Sequence, residues 1–311
     1  MKSKTPLAGW IWEISKTLDF DSIFCPFCGS SGIPGLFKQQ NKEVISTDVL
    51  STYFNESVCL IENDDTKLDI FEIESLIGPN ESITQYFEGI VAGFSLTPEF
   101  GAWLDKCYAN IQSIEHNYKS ALSSTIIAHT IMYLTSFDTD KRIRMAEDDW
   151  ISAYRYYALS LNERIFSNGK TCLAYNKDAQ ELIHDVSTNA MYFYLPSAAG
   201  ATTLDETEIL CEIFNSHKFQ QEMADDISSR IISGLGTGIE DEKEYLKYFK
   251  SFLDSAEHIG TWIIASNDSN KSINENIETM IKEKKRDFQK LSKRIFYSNE
   301  DFHDEFLFIA K

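Results

Sequence analysis

An α/β fold built on a nucleotide-binding sheet, with a helical insertion, is predicted by three features of the sequence. An apolar run over 22–27 enters a turn containing Gly29, Gly32 and Gly35, and a helix-length segment leads on to a β-branched run over 43–48 ending at Asp48. Apolar residues then recur at helical spacing from 80 to 165, as at Ile127, Ile131 and Leu134. Strand-like runs resume at 171–175, 190–195 and 258–265. The first feature reads as a βαβ unit. Its glycines let the backbone approach a ligand closely, and an acid about 20 residues beyond the first glycine can accept hydrogen bonds from both ribose hydroxyls. Asp48 is the candidate.

With 311 residues, 43% of them hydrophobic, the chain can bury a sizeable core as one large domain or as a domain with an insertion. No run approaches the roughly 18 apolar residues of a membrane span, and the first residues lack a signal-peptide pattern, so a cytoplasmic protein without membrane contact is expected. Six cysteines lie scattered, several inside apolar runs, and reduced thiols are expected. Cys25 and Cys28 form a CxxC pair, but no second pair completes a tetrahedral site, so packing is expected and no metal. The net charge of −19 argues against a chain that works alone on DNA, which needs basic surface to displace counterions. Nucleic-acid contact is expected only through a local patch or a partner.

In chain order, residues 1–20 read as an amphipathic helix through Trp10, Ile11, Trp12, Glu13 and Ile14, expected to cover the sheet. Residues 58–62 and 68–72 are expected as a further strand pair. In the insert, Tyr108, Tyr118, Trp150, Tyr154, Tyr156 and Tyr157 are expected in the core rather than as a base-stacking platform. Residues 171–183 give a strand, a polar tip at Asp178 and a helix, and the strand over 190–195 ends in a small-residue loop. Ligands of open α/β sheets bind beyond the carboxyl ends of the strands, so Gly29, Asp48, Asp178 and Pro196 should share one rim. Residues 204–256 read as acidic helices broken by glycines at 234–238. A helix is expected over 273–293, with Lys282, Lys284, Lys285, Arg286, Lys290 and Lys293 as a solvated face. Runs at 294–298 and 305–310 form a terminal strand pair. Three segments result: 1–78, with the glycine loop; 79–168, the helical insertion; and 169–311, the rest of the sheet.

The order of the motifs adds a second line of argument. Ser3 and Lys4 before an amphipathic helix, Pro26 through Ser30, Val44 through Asp48, Lys177-Asp178-Ala179, Trp262 through Asp268 and the closing Glu305 through Ile309 together resemble the Dam-like class of adenine-N6 DNA methyltransferases. The resemblance implies a Rossmann-like methyltransferase fold, a seven-stranded mixed sheet flanked by helices, with S-adenosylmethionine as cofactor. It implies that Phe27, Gly29 and Ser30 border the cofactor, that Asp48 holds its ribose and that Asp178 takes its adenine amine. Lys4 would stand near the methionine end, and the insertion would occupy the position of target-recognition elements.

One departure decides the expected function. Members of that class carry Asp-Pro-Pro-Tyr at the end of the fourth strand, where this sequence has Leu195, Pro196, Ser197 and Ala198. The adenine amine is a poor nucleophile, so these enzymes flip the base, accept its amine hydrogens with a carboxylate and a backbone carbonyl, and stack the tyrosine on the ring. Losing the acceptor costs on the order of 10²–10⁴ in rate, and losing the stack about 1–3 kcal/mol. Ser31 also stands where the cofactor loop usually has its second glycine, although Gly32 could serve if the turn shifts. The expected protein is therefore a degenerate, non-catalytic relative that binds or regulates with a protein partner, reaching DNA through that partner. The alternative is an active enzyme that uses Ser197 or a backbone carbonyl as acceptor, with Tyr192 or Tyr194 near the substrate. Relatives of this class often lie beside restriction-modification or phage-defence genes.

Overall fold

The computed structural model describes residues 5–80, 83–196, 204–219, 221–235, 241–268, 271–284, 287–296 and 302–311. Strands β1 (Ser22–Cys25), β2 (Glu43–Thr47), β3 (Leu173–Tyr175), β4 (Ala190–Tyr194), β5 (Thr261–Asn267), β6 (Phe288–Phe296) and β7 (Phe302–Ala310) form one sheet in the order β3-β2-β1-β4-β5-β7-β6. β3, β2, β1, β4 and β5 run parallel, and β7 is antiparallel to both β5 and β6. The described residues thus form the expected seven-stranded mixed sheet.

The helices are α1 (Thr5–Ser15), α2 (Gly32–Gln39), α3 (Ser51–Ser57), α4 (Ile70–Leu76), α5 (Pro98–Gln112), α6 (Asn117–Thr135), α7 (Thr139–Arg142), α8 (Glu147–Arg164), α9 (Ala179–Leu182), α10 (Glu206–Ser216), α11 (Gln221–Arg230), α12 (Glu242–Ser255) and α13 (Lys271–Glu283). None of the described helices is long and apolar enough to cross a membrane. By contacts the chain divides into a sheet unit, Met1–Val49, Asn168–Thr203 and Asp226–Lys311, and a helical unit, Leu50–Ser167 and Leu204–Asp225. The boundaries fall at 49/50 and 167/168 rather than at 78/79 and 168/169, and a second stretch after β4 joins the helical unit.

In the sheet unit, strand alternation sorts side chains into two layers. Phe24, Met191, Phe193, Trp262, Ile264 and Phe308 join a core with α9, α12 and α13, to which Phe249, Phe252, Ile273, Ile277 and Ile281 contribute. On the opposite face Tyr192 meets Phe37 of α2 at 5.6 Å, and Phe37 meets Phe20 at 6.1 Å. Central strands buried on both faces read as continuous apolar runs, which is why β1, β4 and β5 were legible.

Two expectations fail for local reasons. Residues 58–62 form a π-helical turn continuing α3, and the expected strand at 68–72 is the start of α4. Asp69 caps α4: its carboxylate accepts the Glu72 amide at 2.9 Å while Glu72 accepts the Asp69 amide at 2.9 Å. This reciprocal box is a helix-start signature that outweighs a short apolar run. The helix expected to reach 293 ends at Glu283, because its buried stripe of Ile273, Ile277 and Ile281 has no apolar successor at 285. Lys290 and Lys293 therefore lie on β6, where Lys290 covers the rings of Phe306 and Phe308 at 5.1 and 5.5 Å. The terminal strand pair is present but starts six residues earlier than 294.

The helical unit is held by buried carboxylates that cap backbone. Glu212 of α10, fully buried, accepts the amides of Ser51 and Thr52 at 2.9 and 3.0 Å and the Thr52 hydroxyl at 3.1 Å. Asp105 of α5 accepts the amides of Tyr86 and Phe87, each at 2.9 Å. Trp150 and Tyr154 are core residues as expected, but Tyr156 is 66% exposed, because it lies on the outer stripe of α8 with Leu159. His217 closes α10 with a left-handed backbone, φ 53°, and stacks on Tyr108 with centroids 4.4 Å apart.

Alanine normally stabilises a helix interior by about 1 kcal/mol over glycine, but at Gly101 of α5 an added Cβ would lie 2.5 Å from the Glu88 Cα. Gly101→Ala is expected to destabilise the protein by about 1–3 kcal/mol, read as a lower urea midpoint; a higher midpoint would show that the two segments can move apart. Burial lowers the pKa of His217 below 6.5, although Asp105 and Glu222 pull it the other way. The folded state thus holds fewer protons at this site than the unfolded chain just below pH 6.5, and stability should fall as the pH drops through that range. His217→Gln should remove that part of the pH dependence in thermal melts taken between pH 7.5 and 5.

Candidate functional site at the carboxyl rim

Parallel pairing puts the ends of β1, β2, β3 and β4 on one rim, so Gly29, Asp48, Asp178 and Pro196 follow neighbouring strands. The loop after β1 is bound to β2 twice. The Cys28 amide donates to the Thr47 carbonyl at 3.1 Å, and the Gly29 amide donates to Asp48 Oδ2 at 2.9 Å. Phe27 and Gly29 both adopt left-handed backbones, with φ of 52° and 53°. For glycine this conformation is free of a Cβ clash; for a non-glycine residue it costs about 1–2 kcal/mol. Packing compensates Phe27, whose ring meets Phe252 at 5.5 Å and Phe193 at 6.1 Å. Its ring thereby serves the core as well as the loop. Ser30 is exposed, and Ser31 is fully buried just before α2.

Asp48 is half-buried and fixed through its own backbone. Its amide donates to the Tyr175 carbonyl at 3.2 Å, and its carbonyl accepts from Asn176 Nδ2 at 2.9 Å. An ionised carboxylate only accepts hydrogen bonds, which is the chemistry a ribose diol calls for. Those features fit the ribose end of S-adenosylmethionine.

Asp178 stands differently. It is 1% exposed and caps α9, with Oδ1 accepting the Gln180 amide at 2.7 Å. Oδ2 accepts the amides of Ile232 and Ser233 at 3.0 and 3.2 Å and the Ser233 hydroxyl at 2.8 Å. The neighbouring Arg230 donates to the Val49 carbonyl at 2.7 Å and to Asn176 Oδ1 at 3.1 Å, and it pairs with Asp226. Sequence reading missed Arg230 and Ser233. Both come from a stretch with no local motif, and only the fold carries them to the rim.

At the end of β4, Leu195 is 4% exposed and belongs to the core cluster with Tyr245 and Phe249, while its amide donates to the Ala265 carbonyl at 2.8 Å. The Pro196 carbonyl accepts the Tyr245 hydroxyl at 2.9 Å, and burial pushes the pKa of that phenol up, so it stays a donor. Lys4, Ser197 and Ala198 lie outside the described residues. Tyr192 is core, and Tyr194 donates to Glu305 Oε2 at 3.1 Å; Glu305 is a fully buried carboxylate within β7. Among the described residues no group of His, Cys, Asp and Glu is arranged to hold a metal.

Much of the basic stretch is engaged by the chain's own acids. Lys282 and Lys290 pair with Glu278, Lys284 with Asp254 and Glu257, and Arg294 with Asp304. Lys285 and Arg286 lie outside the described residues.

No family model matches the sequence. The chain is 20% identical to the type II methyltransferase M2.HphI of Haemophilus parahaemolyticus, in an alignment that spans 99% of this chain and 96% of that protein. This distant similarity supports a methyltransferase family for the chain, and with the strand order it identifies the sheet as a Rossmann-like methyltransferase fold.

Removing the Asp178 carboxylate would leave buried amides without acceptors, each costing about 1–3 kcal/mol. Asp178→Ala is accordingly expected to lower the unfolding free energy by at least about 2 kcal/mol in urea titration, with Asp178→Asn intermediate. An unchanged midpoint for Asp178→Ala would mean that the network is dispensable for folding.

Proposed function

We propose that this protein is a degenerate relative of the adenine-N6 DNA methyltransferases that keeps a cofactor cradle and works as a non-catalytic binding or regulatory subunit. The observation that carries the reading is at the end of β4. Where base methylation needs a carboxylate acceptor, the chain has Leu195 buried in the core, and the Pro196 carbonyl beside it already accepts the Tyr245 hydroxyl. A leucine accepts no hydrogen bond, and a carbonyl engaged by a buried phenol has less capacity for an amine. The full-length similarity to a type II methyltransferase supports descent from a DNA-modifying enzyme.

S-adenosylmethionine is the cofactor of this reading, with Lys4, Phe27, Gly29, Ser30, Asp48 and Asp178 as its binding set. When bound it would supply an electrophilic methyl group, while Asp48 would orient the ribose and the Gly29 turn would let the backbone approach. The net charge of −19 and the internal pairing of Lys282, Lys284, Lys290 and Arg294 support contact with DNA through a protein partner rather than by this chain alone. The same reading makes the protein cytoplasmic and sets it in restriction-modification or phage defence.

The test is methyl transfer from methyl-labelled S-adenosylmethionine to DNA of mixed sequence, using the purified chain at high concentration. No incorporation is expected from the chain alone, and a stable partner should accompany it through purification. Robust methylation by the isolated chain would overturn the non-catalytic reading.

A further inference from the structure

The adenine end of the cradle disagrees with the role that the resemblance gives to Asp178. We infer that the chain's own segment 230–233 occupies the adenine-recognition position, with Ser233 standing in for the cofactor's amine, so that the segment and the cofactor compete for one carboxylate. The inference rests on the cofactor reading above and concerns what sets affinity at that site.

Three donors from adjacent groups, the Ile232 amide, the Ser233 amide and the Ser233 hydroxyl, converge on Asp178 Oδ2 at 3.0, 3.2 and 2.8 Å. Three donors on one oxygen exceed its roughly two lone-pair directions, while Oδ1 takes the Gln180 amide at 2.7 Å. An amine that arrives at Oδ2 therefore has to replace a donor already present. The segment is also held in place independently of Asp178. Arg230 fastens it to the Val49 carbonyl, one residue past Asp48, and to Asn176, one residue past β3. The segment therefore crosses the interval between the ribose acid and the adenine acid.

Ser233 is central to this arrangement because its hydroxyl works in both directions. It donates to Asp178 and accepts the Leu235 amide at 3.1 Å, shaping a turn in which Gly234 takes a left-handed φ of 72°. A hydrogen bond to a charged group contributes about 1.5–3 kcal/mol, so removing this hydroxyl should release the carboxylate by tenfold or more in affinity terms. A binding site that is open only part of the time lowers apparent affinity by the fraction open. Ser233 would set that fraction.

The experiment is calorimetric titration of the full chain with S-adenosylmethionine, comparing wild type, Ser233→Ala and Arg230→Gln, with Asp48→Ala as the control for the ribose end. Hydrogen exchange at the Ile232 and Ser233 amides is followed in parallel. Ser233→Ala is expected to bind about tenfold more tightly than wild type, and Arg230→Gln, which loosens the segment without touching Asp178, should shift the same way. The two amides should be protected in the free protein and lose protection at saturating cofactor. Measurable binding with neither variant tighter than wild type, or amides still protected in the complex, overturns the inference and leaves the cofactor reading standing. No binding by wild type or either variant at millimolar cofactor overturns both.

Discussion

Parallel pairing of β1 with β2 and β4, and of β2 with β3, is the constraint on which the rest of the sheet unit depends. Once these strands share a direction, whatever follows each of them must gather on a single rim. The Gly29 amide on the Asp48 carboxylate then locks two of those ends together at 2.9 Å. That bond is local in space but joins residues on either side of α2, so the helix, the loop and the acid are fixed as one piece. The left-handed turn at Phe27 is tolerable only because its ring is anchored on Phe193 and Phe252. Loop and core are thus mechanically continuous.

The end of β4 is built for stability. A carboxylate at 195 would need hydration or partners, and burying an ionised group without them is costly. Leucine at the same place joins the apolar cluster and contributes about 1.5–3 kcal/mol of burial. Tyr245 adds to it by donating its hydroxyl to the Pro196 carbonyl. The rim consequently has two characters: a half-buried carboxylate at Asp48, and a β4 end built as core.

The parts of this design that were legible in the sequence are those written in contiguous residues. β1, β4 and β5 appear as unbroken apolar runs because both their faces are covered, and Gly29 and Asp48 are separated by the span that a strand, turn and helix require. Short runs with competing signals misled, as at 68–72, where the reciprocal Asp69 and Glu72 cap outweighed five residues of apparent strand. The ending of α13 was equally ambiguous, since a basic stretch suits a helix face or an edge strand, and pairing with β7 decided it. Nothing local announced that Ser233 would meet Asp178, fifty-five residues earlier in the chain. Hydrogen bonds of that kind exist only after the sheet has formed.

The cap on α3 bears on the order in which the protein can assemble during synthesis. The amides of Ser51 and Thr52 are satisfied by Glu212, which the ribosome delivers 160 residues later, after β4 has emerged. Until then the bulk of the helical unit has left the ribosome with its first helix uncapped and without α10 to pack against α3 and α6. Closing so long a loop carries a substantial entropic cost, and local helix formation has to precede it. The cap on α3 can therefore close only after 160 further residues of the 311 have been made, and until then its apolar partners on α10 are absent.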